Sequence, residues 1–227
     1  MKQEKTIFNK NQYIRIPTIE SGGLRNRKIN IVGMLEINVD NLRKEQRRLF
    51  REGFRVSFTA CIIKMLGDCV ADYNKIQGSL INDRKIITFT DVDISISLEH
   101  ELEGDFVSFP LIIRAVNNKT VVDIEEEIDR CKKNGISMDR IPFFKKHPVL
   151  GRILLTLFYA IPAAVRVFIM EIILKSPRRS KRVIGTVGFA NVNMTGRLSG
   201  WAFPLKEPYS LYVSMGSIIK KPVIVRN

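Results

Sequence analysis

Two histidines, His100 and His147, and three cysteines, Cys61, Cys69 and Cys131, are the side chains from which this sequence could build a base, a thiol nucleophile or a soft metal site. Their surroundings argue against all three uses. His100 stands between Glu99 and Glu101 at the end of a strand-like run, where a solvated turn is expected. His147 precedes Pro148 in the basic stretch "FKKHP" and reads as a helix-entry residue. Neither has a serine, cysteine or aspartate at a spacing that suggests a catalytic pair. The cysteines form no CxxC pair and have no histidine nearby, so no metal site is expected. All three fall in apolar, helix-like runs, the pattern of reduced core thiols in a cytoplasmic protein. No G-x-S-x-G, P-loop, G-x-G-x-x-G or H-E-x-x-H occurs. Pattern alone therefore points to no active site.

Composition narrows the class. At 227 residues and 45% hydrophobic content the chain can bury a sizeable core as one large domain or two small ones. Thirty-seven Lys and Arg against 23 Asp and Glu leave a formal charge of +14. Such a surplus suits nucleic acid, but the charges are scattered, and no helix-turn-helix, zinc-finger spacing or aromatic RNP-like strand accompanies them. Nucleic-acid binding is not expected, whereas a smaller anionic ligand stays compatible with the charge. The opening "MKQEKTIFNKNQYIRIP" has no apolar stretch of signal-peptide length.

The periodicities place the elements that would position any site. "INIVGMLEINVD" reads as a strand with Ile29, Ile31, Leu35, Ile37 and Val39 on one face. "NLRKEQRRLFREG" is a charged surface helix stopped by Gly53. "SFTACIIKMLGDCVADY" is a stronger helix, capped by Ser57, with Phe58, Ile62, Met65, Cys69 and Tyr73 as its apolar stripe. "NKIQGSLIND" reads as a turn. "DVDISISLEH" alternates strictly, with Val92, Ile94, Ile96 and Leu98 on the core face, and Pro110 marks the following strand, "GDFVSFPLIIRAV", as an edge or a bulge. Thr120 and Asp123 form a capping pair for a helix whose stripe is Val121, Ile124, Ile128 and Cys131, ending at Gly135. Tyr209 to Met215 alternates again, with Tyr209, Leu211, Val213 and Met215 on one side, and a further β-rich run begins at Val223. Irregular alternation of strands and helices favours an α/β (α+β) sandwich over a doubly wound parallel sheet.

One segment departs from this plan. "HPVLGRILLTLFYAIPAAVRVFIMEIILKSPRRSKR" approaches the apolar content of a membrane span, but Arg152, Pro162, Arg166 and Glu171 interrupt every stretch long enough to cross a bilayer. Two readings stay open. It is a helix pair, broken at Pro162, that packs on the domain or on a neighbouring subunit, or it is a membrane-surface anchor in which "SPRRSKR" meets anionic lipid.

The order of segments resembles the catalytic domain of 2-oxo acid dehydrogenase acyltransferases (E2), relatives of chloramphenicol acetyltransferase. "LEINVDNLRKEQRRL" is similar to the family's "EVDVTAL…R" strand and helix, and "VSFTACIIKMLGDCVADYNKIQGSL" to its long helix ending in "P-x-L-N-A-S". "VDISISLEHELEGDFVSFPLIIRAVNNKTVVDIEEEI" resembles the "VNIGVAV…GLIVPVIRNADKKSLxEI" block, the most specific stretch. "IGTVGFANVNMTG" resembles "GTFTISNLGMFG", and "GWAFP…YSLYVSMGSIIKKPVI" the segment after it. The resemblance runs from about Arg15 to the end. It makes residues 1–14 an N-terminal arm and 15–227 a catalytic-type domain, with an apolar helical insertion at 145–182.

The resemblance implies a CoA-dependent acyltransferase of the chloramphenicol acetyltransferase-like fold, assembled as a homotrimer. CoA would be a co-substrate rather than a bound cofactor, dihydrolipoamide a thiol acceptor, and subunits of a 2-oxo acid dehydrogenase complex its partners. No lipoyl module or attachment site resembling that of full E2 chains is found. In the family a histidine in H-x-x-x-D-G deprotonates the thiol, and a hydroxyl from a neighbouring strand donates to the oxyanion. The 227 residues contain no H-x-x-x-D-G. The implied catalytic histidine would lie on a final strand and helix beyond Asn227. The hydroxyl position falls on Ala190 or Asn191, of which only Asn191 carries a donor. Arg114 matches the arginine of "PVIRNA", either as a structural residue at a strand end or as part of the substrate and CoA channel. Trp201 is expected in core or subunit packing, or along the acyl pocket. A catalytically silent member that serves assembly or binding is the alternative.

Overall fold

The computed structural model describes residues 31–81, 85–102, 105–134, 157, 160–191, 200–203 and 208–222. The expected arm at 1–14, the start of the first strand, His147 and the run at Val223 lie outside them.

The first two helices follow the sequence closely at their ends. Helix α1 spans Asp40–Arg51, and Gly53 follows it at φ +92°, a conformation that costs glycine little. Its first amide, that of Asp40, donates to Asn38 Oδ1 at 2.8 Å. Helix α2 spans Phe58–Asp72, and Ser57 caps it by accepting from the Ala60 amide at 3.1 Å.

The buried face of α2 is not the expected one. Ala60, Cys61, Ile63, Gly67 and Val70 are buried, whereas Met65, Cys69 and Tyr73 are exposed. Both faces repeat at helical spacing, because this helix is apolar nearly all round. Side-chain size decides between them. Ala60 and Gly67 make one face flat enough to be approached closely, and a Cβ at Gly67 would lie 2.5 Å from Val116 Cγ1. The bulky face is left outside, and Cys69 with it.

The turn expected at 74–83 is a short helical turn, Asn74–Gln77, followed by a two-stranded hairpin of β1 (Ser79–Ile81) and β2 (Lys85–Ile87). The main sheet comprises β3 (Ile94–Leu102), β4 (Asp105–Ile113), β5 (Val187–Asn191) and β6 (Leu211–Met215) in the order β4-β3-β5-β6. β3 and β4 are antiparallel, while β5 runs parallel to β3 and to β6. Pro110 thus sits on an edge of the described sheet, where its missing N–H costs least. His100 lies within β3, opposite Val107, rather than in a turn.

Helix α3 (Val121–Asn134) packs with α2 on one face of this sheet. Val92, Ile94, Ile96 and Leu98 are buried as their alternation predicts, together with Ile124, Ile128, Cys131, Val187 and Phe189. Leu211, Val213 and Met215 join this cluster from β6. Tyr209 does not share their face as expected. It precedes the strand, and its ring lies 6.0 Å from that of Tyr212. Both rings close over Gly188, where a Cβ would stand 2.3 Å from Tyr212 Cδ2 and 2.7 Å from Tyr209 Cδ2.

The expected strand at 29–39 is absent over its described part. Residues 31–39 take no regular structure, and Ile31 is 96% and Leu35 81% exposed. A β-like sequence becomes a strand only with a partner for its backbone groups, and none of the described strands borders it. An ion pair between Lys221 and Glu36 ties the segment to the stretch after β6.

The capping pair of α3 is complete. The Thr120 amide and hydroxyl donate to Asp123 Oδ2 at 2.9 and 2.7 Å, and the Asp123 amide donates to Thr120 Oγ1 at 3.2 Å. The hydroxyl, and after it the amide, hold the Asp123 carboxyl below its ordinary pKa. A carboxylate with a depressed folded pKa stabilises the fold above its unfolded pKa and ceases to do so as pH falls through the folded value. Asp123→Ala is therefore expected to lower the melting temperature at neutral pH. Melts across an acid pH series should show the gap to wild type closing as the carboxyl protonates.

Beyond α3, helices α4 (Ala163–Lys175) and α5 (Pro177–Ile184) meet at Ser176 and follow the break at Pro162. Arg166 is buried, and its Nη1 donates to Ile161 O at 2.7 Å, so the guanidinium folds back across the break. Among the described residues no helix is long and apolar enough to cross a membrane.

Candidate functional site

The parallel strands give the sheet two distinct ends, and the three residues singled out from the sequence divide between them. At the carboxyl end of β5, Asn191 pairs with Met215 of β6. Immediately after Met215, Gly216 lies so close to Gly200 that an added Cβ would sit 2.5 Å from the Gly200 carbonyl oxygen. The Ser217 amide donates to that carbonyl at 3.3 Å. Trp201, half-exposed at 52%, is thereby brought to the same end of the sheet as Asn191, from ten residues along the chain.

Alternation along β5 separates the two candidates for the oxyanion donor. Val187 and Phe189 face α2 and α3, and Gly188 faces the tyrosine pair. Asn191 continues the first series and Ala190 the second. In accord with this, Asn191 Nδ2 donates to Thr59 Oγ1 on the first turn of α2 at 2.9 Å. The amide is held at the amino end of a helix, the end at which backbone N–H groups favour developing negative charge.

That helix end is anchored from α3. The Glu125 carboxylate, largely buried, accepts from both the Ser57 amide at 2.8 Å and the Ser57 hydroxyl at 2.5 Å. Cys61, one turn further on, has its thiol pKa raised, first by burial and then by the Glu125 charge. It is thus kept as a neutral thiol and is no nucleophile. The Ser57 cap was legible in the sequence. Its partner, 68 residues away, carried no signal, and neither did Thr59.

Arg114 lies at the other end. β5 is five residues long, so about 13 Å of strand separates the level of Val187 from that of Asn191. Arg114 Nη1 donates to Asp93 Oδ2 at 2.9 Å and to Lys181 O at 2.6 Å, and Nη2 donates to Arg182 O at 2.5 Å. It joins a carboxylate that is 5% exposed to the last turn of α5. The other Asp93 oxygen accepts from the Ala115 amide at 2.9 Å, and Ala115 holds a left-handed φ of 48°. Lys181 adds a cation 3.9 Å from Asp93. Each of these contacts ties loop, strand and helix together.

A small cleft of about 280 Å³, counting its open mouth, lies beside this latch between Gln77, Lys181 and Tyr209. Among the described residues no group of three or more histidine, cysteine, aspartate or glutamate side chains could hold a metal ion.

Comparison with known proteins agrees with this architecture. The sequence profile described as 2-oxoacid dehydrogenases acyltransferase (catalytic domain) matches residues 28–137. No curated protein sequence matches the chain. Among solved structures, a probable dihydrolipoamide acetyltransferase from Listeria monocytogenes 4b F2365 superposes with a TM-score of 0.64 at 16% identity, over 98% of this chain and 78% of that one. The dihydrolipoamide acetyltransferase of Azotobacter vinelandii gives 0.63 at 9% identity, over 97% and 76%. A truncated catalytic core of the 2-oxoacid dehydrogenase multienzyme complex from Thermoplasma acidophilum gives 0.61 at 13%, over 96% and 82%. At these identities the likeness is one of fold, the mixed sheet with packed helices of the chloramphenicol acetyltransferase-like acyltransferases. Residues 28–137 thus match the sequence of the 2-oxoacid dehydrogenases acyltransferase (catalytic domain) family, and the chain shares the fold of the acetyltransferase cores just named.

Proposed function

We propose that this chain transfers an acyl group between CoA and a second thiol such as dihydrolipoamide. The observation that carries the reading is Asn191, held by Thr59 at the carboxyl end of β5 and the amino end of α2. In the proposed step a thiolate attacks the thioester carbonyl, the Asn191 amide donates to the oxygen that becomes negative, and collapse expels the other thiolate. The attacking thiol first loses its proton to a base. No H-x-x-x-D-G occurs in the 227 residues. In this reading the base is a histidine outside them, and Trp201 flanks the acyl group.

Assembly belongs to the same proposal. The exposed, β-like segment Ile31–Ile37 and the bulky outer face of α2 are apolar surfaces that a homotrimer would cover, in a cytoplasmic complex core. A second reading, a silent member used for assembly or binding, draws on Asn191 already donating to Thr59 and on Ala190 carrying no donor. The test is release of CoA thiol from a series of acyl-CoAs with dihydrolipoamide as acceptor, using the full natural chain. Turnover with any acyl group supports the transferase. Trimers without turnover across the series favour the silent member.

A further inference from the structure

Helices α4 and α5 carry two surfaces that acyl transfer does not use. On α4, Val165, Phe168 and Ile172 recur at three- and four-residue steps and are 44%, 59% and 42% exposed. They form a single outward stripe on a helix whose one buried residue is Arg166. On α5, Arg178, Arg179 and Arg182 are exposed on one side, and Val183 between them and the helix end is 43% exposed. The eight residues of α5 include no acid, and among the described residues none of these three guanidinium groups is in an ion pair. Only Ser176 separates the apolar helix from the basic one.

We infer that α4 and α5 together dock the protein on an anionic lipid surface. The apolar stripe would enter the boundary between headgroups and acyl chains, and the three arginines would pair with lipid phosphate and carboxylate groups. Charge selects this occupant. A second copy meeting this face about a two-fold axis would set its own three arginines against these and repel them, whereas an anionic leaflet neutralises them. The helices lie on the surface and do not span it, since α4 has 13 residues and meets a break at each end. The inference is independent of acyl transfer.

The test is co-sedimentation of the purified chain with phosphatidylcholine vesicles prepared with and without phosphatidylserine. Wild type is expected to sediment with the phosphatidylserine vesicles and to be released as salt is raised. R178Q/R179Q/R182Q should weaken partition on the order of 100-fold, from about a factor of five to six per basic residue. F168Q/I172Q should weaken it at least roughly tenfold at unchanged charge. Circular dichroism checks that both variants fold, and the salt series on wild type stands even where one does not. Failure of wild type to sediment with the anionic vesicles overturns the inference, as does unchanged partition of the triple variant. If F168Q/I172Q instead dissociates an oligomer and leaves sedimentation as it was, the stripe is a subunit seam and its insertion into lipid, which the inference requires, is overturned.

Discussion

Asn191→Ala is expected to lower kcat for acyl transfer about 100- to 1,000-fold, the usual cost of removing one oxyanion donor. KM for acyl-CoA should change little, because the lost hydrogen bond strengthens only as the carbonyl oxygen gains charge. The melting temperature should fall only slightly, since the side chain is half-buried and its bond to Thr59 at 2.9 Å joins two neutral groups. Asn191→Ser puts back a hydroxyl of the kind the family uses and should recover much of the loss. A kcat for the alanine variant within threefold of wild type would mean that the oxyanion is held elsewhere. Ala190 cannot be the substitute, because it has no donor and continues the opposite face of β5.

The second large effect is on stability. Arg114→Ala should destabilise the fold by about 3 kcal/mol, because it leaves the Asp93 carboxylate buried with its principal countercharge gone. The carbonyls of Lys181 and Arg182 lose the Arg114 guanidinium in the same step, though the Lys181 carbonyl keeps the Gly185 amide at 3.0 Å. Lys181, 3.9 Å from Asp93, offsets part of that loss. Arg114→Lys should recover less than half, since one ammonium cannot serve a carboxylate and two carbonyls in a fixed fork. Urea unfolding of the three proteins measures this directly. Kinetics separate the two roles once open for Arg114. A latch leaves KM for CoA unchanged in the lysine variant at a temperature where it is folded. A channel residue would raise it tenfold or more.

The sequence by itself determined the elements whose signals are local. The alternation of Val92 to Leu98, the cap at Ser57, the reciprocal pair Thr120 and Asp123, the stop at Gly53 and the break at Pro162 all hold in the fold. Each needs only the residue and its near neighbours, so one-dimensional reading suffices. The likeness to the acyltransferase family, matched over residues 28–137, was legible from the order of segments.

Tertiary structure decided what depends on a partner. α2 could have buried either of two apolar faces, and close packing on Val116 selected the one with Ala60 and Gly67. Residues 31–39 have the alternation of a strand but no neighbour in the described sheet. Tyr209 left the expected face because Gly188, remote in sequence, offers its ring a seat. The same holds at the site. Thr59 positions Asn191 from 132 residues away, and Glu125 anchors Ser57 from 68. Arg114 and Asn191 stand at opposite ends of β5 only because Asp93 and α5 meet there. Side-chain size and chain crossing set these contacts, and neither leaves a mark in local spacing.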